Sequence, residues 1–188
     1  MGADADGPEP VLRWLDRLDV LDRDGAGVVF GHDADVPPAD VLARVPDRIV
    51  VDGVPVHVEP LLNRDFMPLV EPGETHPVTA FVGVRVLLPP SAGFPRNLRA
   101  ERMAALCGGE VWTVRLRETY SHRSAESPGF VARAVTDGPG PPTDDPRGPV
   151  RPGPWAVGTP AEVLVRLRDG AGAVHVVRVT GLRIERSE

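Results

Sequence analysis

The spacing of the apolar residues changes once along this chain, and that change constrains the fold more than any other feature. From Glu9 to Arg23, Val11, Leu12, Leu15, Leu18 and Leu21 recur at helical spacing, with Arg13, Asp16, Arg17 and Asp19 on the other face. Residues three and four apart share one side of a helix, so the segment predicts an amphipathic surface helix. Pro10 suits its first turn, and Asp24-Gly25 followed by Gly27 stops it. Val28-Val29-Phe30 reads as a short strand. Ala39 to Arg44 reads as a short helix ended before Pro46. From Ile49 onward the apolar spacing is two, the period of a half-buried strand.

The strand signals then follow one another. Ile49 to Val51 and Val54 to Val58 flank Asp52-Gly53, a pair suited to a hairpin turn because both positions take positive φ. Pro55 places the second run at a sheet edge. Val78, Ala80, Val82, Val84, Val86 and Leu88 share a face of the longest run and predict core. Residues 98–107 admit two readings. Ala100, Glu101, Met103, Ala104, Ala105 and Leu106 are good helix formers, but Gly108-Gly109 followed by the alternating run from Val111 to Arg117 reads as a hairpin turn, and the hairpin is preferred. Trp112, Val114 and Leu116 then point inward, and Thr113, Arg115 and Arg117 outward. Phe130 to Thr136 is a further strand. Residues 137–154 are rich in Pro and Gly and read as a long loop.

Glu162 to Arg168 and Ala173 to Val179 form a closing hairpin around Asp169-Gly170-Ala171-Gly172. An even loop pairs Arg168 with Ala173, Arg166 with His175, Leu164 with Val177 and Glu162 with Val179. This register fills the inner face with Val163, Val165, Leu167, Val174 and Val176. It leaves an outer face with an apolar centre (Leu164, Val177, Val179) and a rim of Glu162, Arg166 and His175, which is the anatomy of a protein contact. The N-terminal helix is the competing cover for that face.

Many short strands without interleaved helices imply an antiparallel sandwich or barrel. The expectation is a mainly β chain, an antiparallel immunoglobulin-like β-sandwich with an N-terminal amphipathic helical segment. Residues 1–46 form the tail and helical segment, and residues 47–188 the β domain. The segment Leu62-Asn63-Arg64-Asp65-Phe66-Met67-Pro68, the Val-rich strand, Cys107-Gly108-Gly109-Glu110-Val111-Trp112 and the closing hairpin together resemble a group of uncharacterised bacterial immunoglobulin-like proteins over residues 48–186. The resemblance implies a β-sandwich and no activity.

Composition excludes some functions. The formal net charge is −6, and all 21 basic residues are Arg. A nucleic-acid partner calls for an overall basic field, so none is expected. The single Cys107 cannot form an intramolecular disulfide. The acidic N-terminus lacks the apolar run of a signal peptide, and no apolar run approaches the length of a membrane span. A cytoplasmic protein with no membrane insertion is therefore expected.

No nucleophile elbow, dinucleotide loop or calcium loop survives inspection. No catalytic residue and no cofactor is expected. His57 and Glu59, two apart on one strand, leave the same face and are the weak candidates for a metal, with a surface hydrogen-bonded pair as the plainer reading. Trp155 either pins the long loop or offers an aromatic platform. Arg115, Arg117, Arg166 and Arg168 fall on outward strand positions, as a solvated face or as a site for an acidic partner or anion. The expected function is a non-enzymatic protein-interaction module, an accessory or assembly subunit whose partner is another protein or a second copy of the chain. The interaction candidates are Leu164, Arg166, His175, Val177, Val179 and Trp155. The alternative is a small-molecule or metal-binding β-sandwich, and the third reading is an enzyme of unfamiliar type.

Overall fold

The computed structural model describes residues 8–21, 28–30, 35–65, 79–90, 95, 97–107, 109–122, 128–134 and 158–187. Two short helices, α1 (Glu9–Leu21) and α2 (Ala39–Leu42), accompany ten strands. These are β1 (Val28–Phe30), β2 (Ile49–Val51), β3 (Val54–Asp65), β4 (Thr79–Leu87) and β5 (Arg99–Cys107), then β6 (Glu110–His122), β7 (Gly129–Ala134), β8 (Pro160–Arg168), β9 (Val174–Arg183) and β10 (Glu185–Ser187). The structure is mainly β, and residues 99–107 are strand, paired with β6 from Cys107 opposite Glu110 to Arg102 opposite Arg115.

Eight strands pair along one path, β10-β3-β4-β7-β6-β5-β8-β9, with β1 added on β6 and β2 on β3. Neighbours on the path are antiparallel except β10, which runs parallel to β3 from Glu185 opposite Asn63. That pairing brings the chain end back to the first long strand and leaves the sheet nearly closed into a barrel. A sandwich divides its strands between two sheets, whereas here one path joins all eight. Alternation in the sequence is the same in both architectures, because each buries every second residue.

The barrel interior holds Val58, Val84, Val86, Met103, Ala105, Trp112, Val114, Phe130, Val163, Val165, Leu167 and Val177, all nearly inaccessible. The Asp52-Gly53 turn has φ +51° and +78°, as the sequence pair demands. Val51 faces Val54 across it, and Pro55 lies opposite Val50 before the pairing with β4 begins at His57. Gly129 is required by space. A Cβ there would sit 2.3 Å from the Val86 carbonyl oxygen.

A second cluster lies on the outside of the sheet. Helix α1 sets Val11, Trp14, Leu15 and Leu18 over Ala104, Val111, Leu164 and Val176. Leu164 is fully buried there. The N-terminal helix is thus the cover of the outer face of the closing hairpin.

The register of that hairpin differs from the expected one. Leu167 faces His175, Arg166 faces Val176, Val165 faces Val177, Leu164 faces Arg178 and Val163 faces Val179. The loop is odd. Asp169 pairs with Ala173 through its N–H, the Gly172 N–H returns to the Asp169 carbonyl, and Gly172 has φ +87°. This is a three-residue turn with a glycine in the left-handed region. The Asp169 carboxylate also accepts the N–H groups of Ala171 and Ala173, both at 2.9 Å. One residue of slip turns β9 over. Val177 and Val179 therefore belong with the inner cluster, and Val176 lies beneath α1.

Candidate functional site: an arginine cleft beside helix α1

Strand alternation places Arg115 and Arg117 of β6, and Arg166 and Arg168 of β8, on the outer side of the sheet, with β5 between them. Arg102 lies directly opposite both Arg166 and Arg115, so three arginines form one row across three strands. Arg99 and Arg168 face each other farther along. Like charges directly opposite one another destabilise a sheet, so this face needs anions.

Two local features supply them. The first is an irregularity in β5 between Ala100 and Arg102. An extra residue in a strand re-aims side chains, and Glu101 joins the arginines on the outer side. Its carboxylate accepts two hydrogen bonds from Arg168, at 2.6 and 3.2 Å, and lies 3.4 Å from Arg166 Nε and 3.6 Å from Arg99 Nε. Through the first of these bonds Glu101 holds the Arg168 guanidinium above its ordinary pKa range. The second feature is the last turn and a half of α1. Asp19 pairs with Arg102 Nε and lies 2.6 Å from an Arg166 terminal nitrogen. Asp16 accepts the other terminal Arg166 N–H at 2.8 Å. Arg102 is wholly buried beneath this end of the helix and donates to the Thr113 hydroxyl at 2.7 Å.

Arg166 is therefore surrounded by three carboxylates, whereas the far side of the cleft is not compensated in this way. Among the described residues Arg115 and Arg117 make no ion pair, and both are exposed. Six guanidinium groups stand against the three carboxylates of Asp16, Asp19 and Glu101. Asp19, Glu101, Arg99, Arg115, Arg117, Arg166 and Arg168 line a cleft of about 540 Å³ floored by Ala100 and Leu116. That volume lies within the range of small-ligand pockets, ~300–1,000 Å³. Its chemistry is that of an anion receptor, since guanidinium groups bind carboxylates and phosphates through paired N–H donors.

The other candidate residues lie elsewhere. His57 and Glu59 do share a face of β3. Glu59 accepts from Arg85 at 3.2 Å and stands 3.9 Å from His57 Nε2. The neighbour across the strand is thus a cation, which opposes a metal ion, and among the described residues no group of three metal-capable side chains occurs. His175 binds the Asp169 carboxylate at 2.8 Å at the hairpin tip, which with two backbone N–H groups holds Asp169 below the usual carboxylate range. Leu164 and Val177 are buried inside the chain, Val179 packs against the inner cluster, and Arg178 takes the Glu162 carboxylate with bonds of 2.6 and 2.9 Å. Cys107 is a buried thiol, its pKa raised by burial and by Glu110. Trp155 and residues 137–154 lie outside the described residues. Among the described residues no helix is long and apolar enough to cross a membrane.

Sequence alternation alone points to Arg115, Arg117, Arg166 and Arg168. The parts it misses are Glu101, Arg102 and Arg99, because the strand irregularity has no sequence signature, and Asp16 and Asp19, because only the packing of α1 brings them there. No model of a known protein family, no curated protein and no solved structure matches this chain.

Proposed function

We propose that the chain is a non-enzymatic protein-interaction module whose contact surface is the arginine cleft and whose partner presents an acidic polypeptide segment. The observation that carries this reading is the row of arginines whose compensation stops halfway. Arg102, Arg166 and Arg168 are met by carboxylates from α1 and β5, while Arg115 and Arg117 on the same face meet no carboxylate among the described residues. The filled half takes its side-chain carboxylates from α1 and β5, which supports an acidic polypeptide as the occupant of the open half. A chain of net charge −6 gains little from a long polyphosphate, and two carboxylates, Asp19 and Glu101, already line the cleft, so a nucleic acid is the poorer fit. An immunoglobulin-like sandwich, as expected from the sequence, would require this single path to divide into two sheets at β6, and the cleft does not require that division.

The test is fluorescence anisotropy of a fluorescein-labelled oligoglutamate peptide titrated with the full chain at low ionic strength. Binding that weakens with salt and is lost in Arg115→Glu/Arg117→Glu supports the reading. No binding, or binding unchanged in the double variant, overturns it.

A further inference from the structure

Resting on that reading, we infer that helix α1 is a built-in competitor for the arginine cleft, and that an acidic ligand gains affinity by taking Arg166 from Asp16. The geometry supplies each step. The Arg166 side chain is only 12% exposed; Asp16 and Asp19 from the helix pair with its terminal nitrogens, and Glu101 from the sheet lies 3.4 Å from its Nε without a hydrogen bond. The three carboxylates are not equivalent. Asp19 is largely buried and shared with Arg102, and Glu101 is largely buried and shared with Arg168. Asp16 is 70% exposed and has Arg166 as its partner, so it is the contact that a ligand can replace without dismantling the sheet face.

Position points the same way. Val11, Leu15 and Leu18 anchor α1 on Leu164 and Val176, and the helix continues toward the mouth of the cleft, where Asp16 and Asp19 meet the arginine row. Beyond them lie Arg168 and Arg99, then Arg115 and Arg117 across β5. A carboxylate bound in the cleft enters beside Asp19 and Glu101, which line it, and at Arg168 it comes within reach of the Asp16 charge. Asp16 therefore lowers affinity twice, by occupying Arg166 and by repelling the incoming charge. Removing that charge relieves both effects. The chain thereby sets its own threshold, and a segment with several adjacent carboxylates passes it where a single carboxylate does not.

The experiment uses the same labelled oligoglutamate and the full-length chain, comparing wild type, Asp16→Asn, Arg115→Glu/Arg117→Glu, and Asp40→Asn as a control of equal net charge remote from the cleft. Asp40 is exposed and belongs to α2, where it pairs with Arg44. Asp16→Asn is expected to tighten binding by about two- to threefold at low salt, as expected for one exposed charge at close range. The gain should shrink toward nothing at ~1 M salt, where the screening length falls to ~3 Å. Asp40→Asn should leave affinity unchanged. Equal tightening by Asp40→Asn and Asp16→Asn, or no tightening by Asp16→Asn while Arg115→Glu/Arg117→Glu still abolishes binding, overturns the competitor and leaves the cleft in place. Loss of peptide binding by none of the variants overturns the cleft reading itself.

Discussion

Asp19→Ala is the substitution whose cost the structure predicts most directly. Asp19 meets Arg102 Nε and stands 2.6 Å from Arg166, and Arg102 is wholly buried. Removing one partner of a buried ion pair costs about 3–5 kcal/mol, because the remaining charge keeps its desolvation penalty. Two details set the magnitude here. Asp19 itself is 23% exposed, so water can reach the vacated position, and Arg102 keeps its bond to the Thr113 hydroxyl. Both place the expected loss near the low end, about 3 kcal/mol. Asp19→Asn retains an acceptor and should lose about 1–2 kcal/mol, the difference between a charged and a neutral hydrogen bond counted over two arginines. The double variant Arg102→Met/Asp19→Leu removes both charges and replaces them with side chains of suitable length, and should recover much of the loss. Urea unfolding followed by tryptophan fluorescence measures all three, since Trp14 and Trp112 are buried. A loss below about 0.5 kcal/mol for Asp19→Ala, the scatter of ordinary surface substitutions, would refute the coupling of α1 to the arginine row.

Three further outcomes follow from the packing. Gly129→Ala forces a Cβ to within 2.3 Å of the Val86 carbonyl oxygen, where backbone cannot give way cheaply, and should cost at least about 1–3 kcal/mol in the same assay. Trp112→Ala, at 1% exposure inside the barrel, should cost about 3–5 kcal/mol. Asp169 has a native pKa depressed chiefly by its bond to His175, so its contribution is present above the unfolded aspartate value near ~3.9 and is lost as pH falls through the lower native value. Unfolding midpoints measured from neutral pH into acid should flatten in that window in Asp169→Asn. An unchanged acid slope would show that the hairpin tip does not contribute it.

The parts of this architecture that are legible in sequence are those fixed by local chemistry. The period of Val11, Leu15 and Leu18 gives α1 and its buried face, Asp52-Gly53 gives a turn with two positive φ values, and alternation sorts Trp112, Val114 and Leu116 from Arg115 and Arg117. The hairpin that pairs Cys107 with Glu110 overrides the helix propensity of Ala104 and Ala105 because cross-strand pairing with β6 and β8 buries both residues. What escapes is set by single hydrogen bonds or by tertiary packing. Asp169-Gly170-Ala171-Gly172 admits an even or an odd loop. The Asp169 side chain, bound to the N–H groups of Ala171 and Ala173, goes with the odd one and so with the face that Val177 presents. The strand irregularity that adds Glu101 to the arginine face is equally invisible, as is the docking of α1 that covers Leu164 and delivers Asp16 and Asp19. The arginines could be placed on one face from sequence. Their division into a compensated and an open half could not.

An acidic segment received at the open half of the arginine row would perturb those guanidinium groups before any others. The most direct measurement is nuclear magnetic resonance of the ¹⁵N-labelled chain titrated with unlabelled oligoglutamate, observing the arginine Nε–H signals. The expected shifts saturate together and are confined to Arg115, Arg117, Arg99, Arg168 and Arg166, with Arg85 and Arg178 unmoved. Shifts centred on Arg85 beside Glu59, or spread evenly over exposed arginines across the chain, would contradict binding at the open half.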